Sequence, residues 1–412
     1  MNSNIFVSSE TGRLRKVIVH QPDDGIEVVT PSKALEFLYD DIVYLPKMRE
    51  EHKLFTDILK HFLGKENVLD TQDLLLQSIQ HNTDARIEMI DNIAYEEDCS
   101  DETKHILKGL SPEELIYTLY TGVVRSSRKQ LFGPLPNNIF TRDIGAVVND
   151  HIIICQASKS ARTRESIMTR IIIYYHPHFK ALRDEDKIID LTKEDDDVTL
   201  EGGDLMVYDK NHLLVGCSER TSLKALDVLI DKLFEKKVVQ SVVWIEIPKE
   251  RTCMHIDTLF TQLSKDEFVV FAPYVASPDK MEVTAYHDHG GSTSYKTLLD
   301  FFKSVNPKTD YILCGNGEYP FDEREQWTDG CNLVTVKDGV AFAYQRNYRT
   351  AEALKNRGYN VVDGQTVLTA FENGLINPNT IEKTIIRISA TELSRARGGP
   401  HCMTFPILRD NF

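Results

Sequence analysis

GDLMVYDKNHLLVGC, residues 203–217, is two apolar runs around a polar turn, Asp209-Lys210-Asn211. Short β-prone runs on either side of turn-forming residues read as a β-hairpin. The pattern returns three times: RDIGAVVNDHIIIC from Arg142, DTLFTQLSKDEFVVFAP from Asp257 and CNLVTVKDGVAFAY from Cys331, the last with a strong turn signal at Asp338-Gly339. Amphipathic helical stretches follow three of these hairpins: SARTRESIMTRI, SERTSLKALDVLIDKLF ahead of VVWIEIP, and NYRTAEALKNRG ahead of YNVVDG. The unit is hairpin, helix, strand, repeated with loops of variable length.

A further unit is split between the chain ends. RKVIVHQP near the start and CMTFPILRD at the finish are single apolar strands without a local partner. Pairing them closes a ring and leaves no open edge. The expected architecture is therefore α/β and radial, with five units. One region departs from it: residues 70–128 carry helical signals only, among them SPEEL, where Ser111 caps, Pro112 opens the helix and Glu114 completes a capping box. The expected division is an inserted α-helical domain over 70–128, with 1–69 and 129–412 forming the ring.

The chain has 412 residues, 41% of them hydrophobic and 27% charged, and a formal charge of −15. That charge argues against nucleic acid and mildly favours a cationic small molecule. No apolar run reaches the roughly 18 residues of a membrane span. The start, MNSNIFVSSETGRLRK, reads as neither a secretory nor a transit signal, which leaves the cytoplasm as the expected location. Seven scattered cysteines without a CxxC pair argue against a disulfide framework and a ribbon-type zinc site. The acidic run KEDDD, 193–197, reads as a solvated loop.

In a radial repeat, the residues that open each hairpin share one pole. Those residues are Asp143 in FTRD, Glu201 in EGGD, His255 and Asp257 in MHID, the Asp329–Asn332 turn, and Cys402 in GGPHC. Singly, each has an ordinary structural reading: a small buried thiol, a turn aspartate, a hydrogen-bonded histidine. Together they are costly to bury without a purpose. A thiol needs an electropositive neighbour or a cationic ligand to ionise near neutrality. Carboxylates outnumber the imidazole here, so the fitting ligand is a planar cation that satisfies two carboxylates at once, a guanidinium. Attack by the Cys402 thiolate on the guanidinium carbon, with His255 as general acid and then base, would make and hydrolyse a covalent thiouronium. Two His-x-His pairs, His176/His178 and His287/His289, are the better metal candidates, but neither has a third ligand at recognisable spacing, so no metal is expected.

The motifs VIVHQP, LYDDIVYL, NNIFTRD, ARTRES, LEGGDLMV, GCSERTS, MHIDTLF, EREQWTDGCN and RARGGPHCMTFPILRD occur in that order across nearly the whole chain. In this the sequence resembles the arginine deiminase family of the guanidino-group-modifying superfamily. The resemblance implies a five-unit pseudo-symmetric α/β propeller with an inserted helical domain, and hydrolysis of L-arginine to L-citrulline and ammonia without metal or organic cofactor. It implies Cys402 as nucleophile, His255 as general acid and base, Glu201 as support for His255 and substrate, and Asp143 and Asp257 as the guanidinium pair. It further implies Arg162 and Arg220 at the substrate carboxylate with Asn137 assisting, Phe140 on the aliphatic part, Arg397 as a gate and Leu38 as a backbone contact to the α-amine. Ala396 stands where many members have glycine. An amidinotransferase, a deiminase of another guanidino compound and a non-catalytic arginine-binding protein are the alternatives, and assembly into a homo-oligomer is left open.

Overall fold

The computed structural model describes residues 5–411, so the first residues of the segment in which no targeting signal is read lie outside the described chain. All four hairpins form. Gly145–Val148 pairs with His151–Ile154, Leu205–Asp209 with His212–Cys217, Phe260–Gln262 with Glu267–Val270, and Val334–Lys337 with Val340–Tyr344, each antiparallel. The second strand of each then takes a parallel neighbour: Ile188–Asp190, Ser241–Glu246, Asp310–Leu313 and Thr384–Ile388 respectively. A parallel neighbour requires a crossover, which the helices Thr163–Tyr175, Leu223–Glu235, Leu298–Val305 and Tyr348–Asn356 provide. The split unit obeys the same rule. Leu14–Val19 is antiparallel to Phe405–Arg409 and parallel to Val68–Asp70, which it reaches across the helix Leu45–Leu63.

Two local expectations are corrected, and the hairpin from Asp257 differs from the others. The YNVVDG strand, Asn360–Asp363, does not pair with its hairpin; it lies outside Thr384–Ile388, which the sequence reading passed over. TIIRI is a nearly continuous buried run flanked by strands on both sides, so it carries no hydrophobic alternation to find. The hairpin from Asp257 reaches its helix only after two more strands, Glu282–His287 and Ser292–Tyr295, which leave their own sheet and extend the one containing Ser241–Glu246. Gly290 and Gly291, both at positive φ (88° and 85°), make the turn between them. The capping box at Ser111 is half-formed. Its hydroxyl accepts from the Glu114 N–H at 3.2 Å, but the Glu114 carboxylate accepts from the Ser126 N–H at 2.9 Å instead of reaching back.

Helices Thr71–Ile79, Thr83–Glu96, Asp101–Gly109 and Pro112–Thr121 fill most of the stretch between Val68–Asp70 and Gly145–Val148, and the first two pack on Thr163–Tyr175. A two-residue ribbon, Val123–Val124 with Lys129–Gln130, follows them. No helix among the described residues is long and apolar enough to cross a membrane.

Candidate active site

The turns that precede the first strands converge as the repeat predicts. They surround a cavity of about 40 Å³, room for roughly three water molecules. Every expected site residue lines it except Glu201 and Asp257, which lie directly against His255 and Cys402.

His255 sits at the start of the short turn Ile256–Thr258, and its ring lies on the backbone of Gly203: a Cβ there would fall 2.5 Å from Nδ1. The second glycine of EGGD is thus a condition for placing the imidazole. Its Nε2 meets Glu201 Oε2 at 2.9 Å, and Nδ1 is 3.8 Å from Asp143 Oδ1. Burial pushes the imidazole pKa down, but the charge of Asp143, the Glu201 hydrogen bond and the charge of Asp204 more than reverse this and hold it up at about 10. Burial raises the Glu201 carboxyl, and the same hydrogen bond with the imidazolium overrides it and pulls the carboxyl down. The pair is an imidazolium and a carboxylate.

Cys402 is buried, with Sγ 3.6 Å from Asp257 Oδ2. Burial, then the carboxylates of Asp257, Asp143 and Asp329, push its thiol well above the ordinary range, so this arrangement holds a neutral thiol. The side chain of Asn332 fixes the backbone here: Oδ1 accepts from the N–H groups of His401 and Cys402 at 3.1 and 3.2 Å, while Nδ2 donates to the Asp257 carbonyl at 3.1 Å. Behind Asp257, Oδ2 meets His401 Nδ1 at 2.8 Å, and His401 Nε2 meets Glu10 at 3.3 Å. Glu10 in turn lies 3.7 Å from Arg142. Burial raises the Glu10 carboxyl, but Arg142 and His401 outweigh it and hold it far below the usual range.

Asp143 and Asp257 each keep one buried oxygen, Oδ1, without a hydrogen-bond partner. Both arginines reach the site in different states. Arg162 is ion-paired to Asp143 Oδ2 and forked onto Glu165, whereas Arg220 has a buried Nε without a partner and stands 3.8 Å from Glu201. Asn137 donates to the Phe37 carbonyl at 2.7 Å, which ties it to the loop carrying Leu38, itself at positive φ (63°). The Phe140 ring lies where a Cβ on Gly398 would be, so the glycine after Arg397 makes room for it. Arg397 adopts the left-handed conformation (φ 68°) and lays its guanidinium 3.3 Å above the Trp327 ring.

Donor atoms of Asp143, Glu201 and His255 lie within 4.8 Å of one another, close enough to hold a cation, although Arg162 already supplies positive charge to Asp143. The His-x-His pairs are engaged in other ways. His176 bonds Gln77 and the His178 N–H, and His287 bonds Thr293. Sequence reasoning missed Glu10, Arg142, Glu165 and Trp327, and gave His401 no role. Glu10 and His401 are 391 residues apart, and no local pattern announces such a pair.

The family model for arginine deiminase matches residues 103–409. An arginine deiminase of Oenococcus oeni is 31% identical, with 99% of this chain and 98% of that protein aligned. One of Limosilactobacillus reuteri is 32% identical over 100% of this chain and 99% of its own. Among solved structures, SxtG, an amidinotransferase from Microseira wollei, superposes with a TM-score of 0.55 at 13% identity over 99% of both chains. DDAH from Pseudomonas aeruginosa superposes with a TM-score of 0.52 at 13% identity, over 95% of this chain and 99% of its own. These structural likenesses establish a shared α/β fold, and the sequence matches go further: this chain belongs to the arginine deiminase family.

Proposed function

We propose that the protein hydrolyses L-arginine to L-citrulline and ammonia, and that Cys402 is the nucleophile. The observation that carries the reading is the pair of unpartnered oxygens on Asp143 and Asp257, buried beside a thiol and an imidazolium. A guanidinium placed between them satisfies both carboxylates, and its positive charge favours the Cys402 thiolate over the thiol, whose proton passes to solvent. Sγ then bonds to the guanidinium carbon. His255 gives its proton to the departing nitrogen, and ammonia leaves behind a thiouronium on Cys402. His255, now neutral, takes a proton from water as the water oxygen adds to the same carbon; the C–S bond then breaks, the hydroxyl proton of the adduct passing to the departing sulfur, to release citrulline and restore the thiol. Glu201 holds the imidazole in place through the cycle.

At the other end of the substrate, Arg220 and Arg162 take the carboxylate, Asn137 supports the loop of Leu38 whose carbonyl meets the α-amine, and Phe140 packs on the methylenes. Since the cavity holds roughly three waters, a ligand of arginine's length enters when lining side chains move. Arg397, on a left-handed residue over an aromatic face, is the side chain we assign to that motion. The recurring antiparallel pair with a parallel third strand, five times including the split unit, supports a five-unit propeller. Residues 70–128 are its helical insertion, and the cytoplasm its location.

The test is an assay for citrulline and ammonia. Turnover of L-arginine should survive EDTA and fall at least about 10⁴-fold in Cys402→Ala. Full activity in that variant, or loss on chelation, overturns the mechanism.

A further inference from the structure

Arg162 and Arg220 line one cavity, but their hydrogen-bond donors are spent differently. Arg162 Nη1 donates to Asp143 Oδ2, Nε and Nη2 both donate to Glu165 Oε2 at 3.0 and 2.8 Å, and Nη2 also faces the carbonyls of Asn137 and Phe140 at 3.3 and 3.4 Å. A guanidinium carries five N–H groups in a rigid fork, so Arg162 has almost none left for a ligand. Burial works against its charge, and Glu165, Asp143 and Glu201 outweigh that, so it stays a cation. Arg220, by contrast, has an unpartnered buried Nε, and its Nη2 reaches only the Met254 sulfur at 3.7 Å. A substrate carboxylate therefore finds open donors on Arg220, while Arg162 must first let go of something.

What Arg162 must release is a group the reaction needs. Asp143 Oδ2 is covered by a guanidinium of the protein's own, and a second guanidinium arriving at the same carboxylate would meet like charge at close range, with the His255 imidazolium also facing Asp143 at 3.8 Å. Building on the reading that Asp143 receives the substrate's guanidinium, we propose that Arg162 is a specificity lock: in the free protein it occupies Asp143, and the substrate's α-carboxylate opens Asp143 by drawing Arg162 to itself. Guanidines without a carboxylate are then rejected twice, since they lack a contact to the arginines and also leave Asp143 covered. This is discrimination by an obstacle as well as by attraction.

A plain carboxylate receptor and a lock predict different outcomes for agmatine, which is arginine without its carboxylate: no gain for the first, a gain for the second. The substitution is Arg162→Met combined with Glu165→Gln, so that Glu165 does not become an unpaired buried carboxylate, while Asp143, released from Arg162, keeps His255 facing it at 3.8 Å; folding is checked by thermal melting. If Arg162 is a lock, kcat/KM for L-arginine falls about 10²-fold while kcat/KM for agmatine rises at least about tenfold above the unaltered protein. Agmatine use that stays level or falls in the folded variant overturns the lock. Should the variant not fold, the unaltered protein decides. Formate added to an agmatine assay should fill the carboxylate subsite and raise agmatine turnover while inhibiting L-arginine turnover, and inhibition of both overturns the lock. Absence of L-arginine turnover in the unaltered protein would instead remove the proposed function itself.

Discussion

Asp143 and Asp257 open corresponding hairpins at the same site, Asp143 lining the cavity and Asp257 lying behind it against Cys402, yet they are held by opposite means. Asp257 is backed by a fixed buried chain: His401 at 2.8 Å, then Glu10, then Arg142. Burial raises its carboxyl, and the His401 hydrogen bond with the charges of His401, His255 and Arg142 brings it below the ordinary value. Asp143 has no such scaffold. Its partners are Arg162 and the His255 imidazolium, both of which take part in the proposed reaction. One carboxylate is a built-in fixture beside the thiol, and the other is an exchangeable seat. A site that must bind a cation and also refuse the wrong cation gains from having one of each.

The sharpest break in this comparison comes from neutralising each carboxylate. Asp257→Asn removes a guanidinium contact and the partner of His401, and should lower kcat/KM for L-arginine about 10³-fold. Asp143→Asn also releases Arg162 from its pair, so its loss should be smaller, about 10²-fold. Steady-state kinetics on both variants tests the order, and a reversal would mean that Asp257 is not the more firmly built of the two.

Glu10→Gln strikes the scaffold without touching substrate. Removing one member of a buried charged set costs about 3 kcal/mol, to be read by urea denaturation, and kcat should drop about tenfold through His401 and Asp257. The pH dependence carries the same sign. Because the folded Glu10 carboxyl lies below its ordinary 4.5, its contribution to stability is present above that pH and is lost as pH falls beneath it. The variant should therefore lose less stability than the parent between pH 5 and pH 3.

The imidazolium side sets the alkaline limit. With its pKa raised from 6.5 to about 10, His255 contributes stability that is complete below 6.5 and lost as pH rises through about 10. Activity should fall along the same limb, and Glu201→Gln should move that limb toward neutrality. The smallest effect is expected at Asp329, whose carboxyl burial raises to about 7 against the opposing charge of Arg397. Here the folded value exceeds the unfolded one, so ionisation costs stability as pH climbs from 3.8 through 7. Asp329→Asn should raise the melting temperature more at pH 8 than at pH 4.

Local chemistry was legible in the order of residues. Turn residues between apolar runs located all four hairpins, and unpaired apolar strands at the two ends announced the junction of Leu14–Val19 with Phe405–Arg409. Repeat equivalence then placed Asp143, His255, Asp257 and Cys402 around one centre before any contact was known. The strand Thr384–Ile388 was hidden because a strand buried on both faces shows no alternation. The second hairpin after Asp257 was hidden because it joins a neighbouring sheet.

What the sequence determined by itself is the set of turns and the chemical identity of the groups they carry, since both depend on neighbours a few positions away. Which charge answers which was decided only by the tertiary structure. Arg162 reads as a helix-start cation until burial leaves it no water and presents Asp143 and Glu165. His401 reads as a spacer before a cysteine until the chain ends meet and put Glu10 behind it. Partners of that kind are chosen by the cost of leaving a buried charge alone, and that cost exists only once the fold has closed.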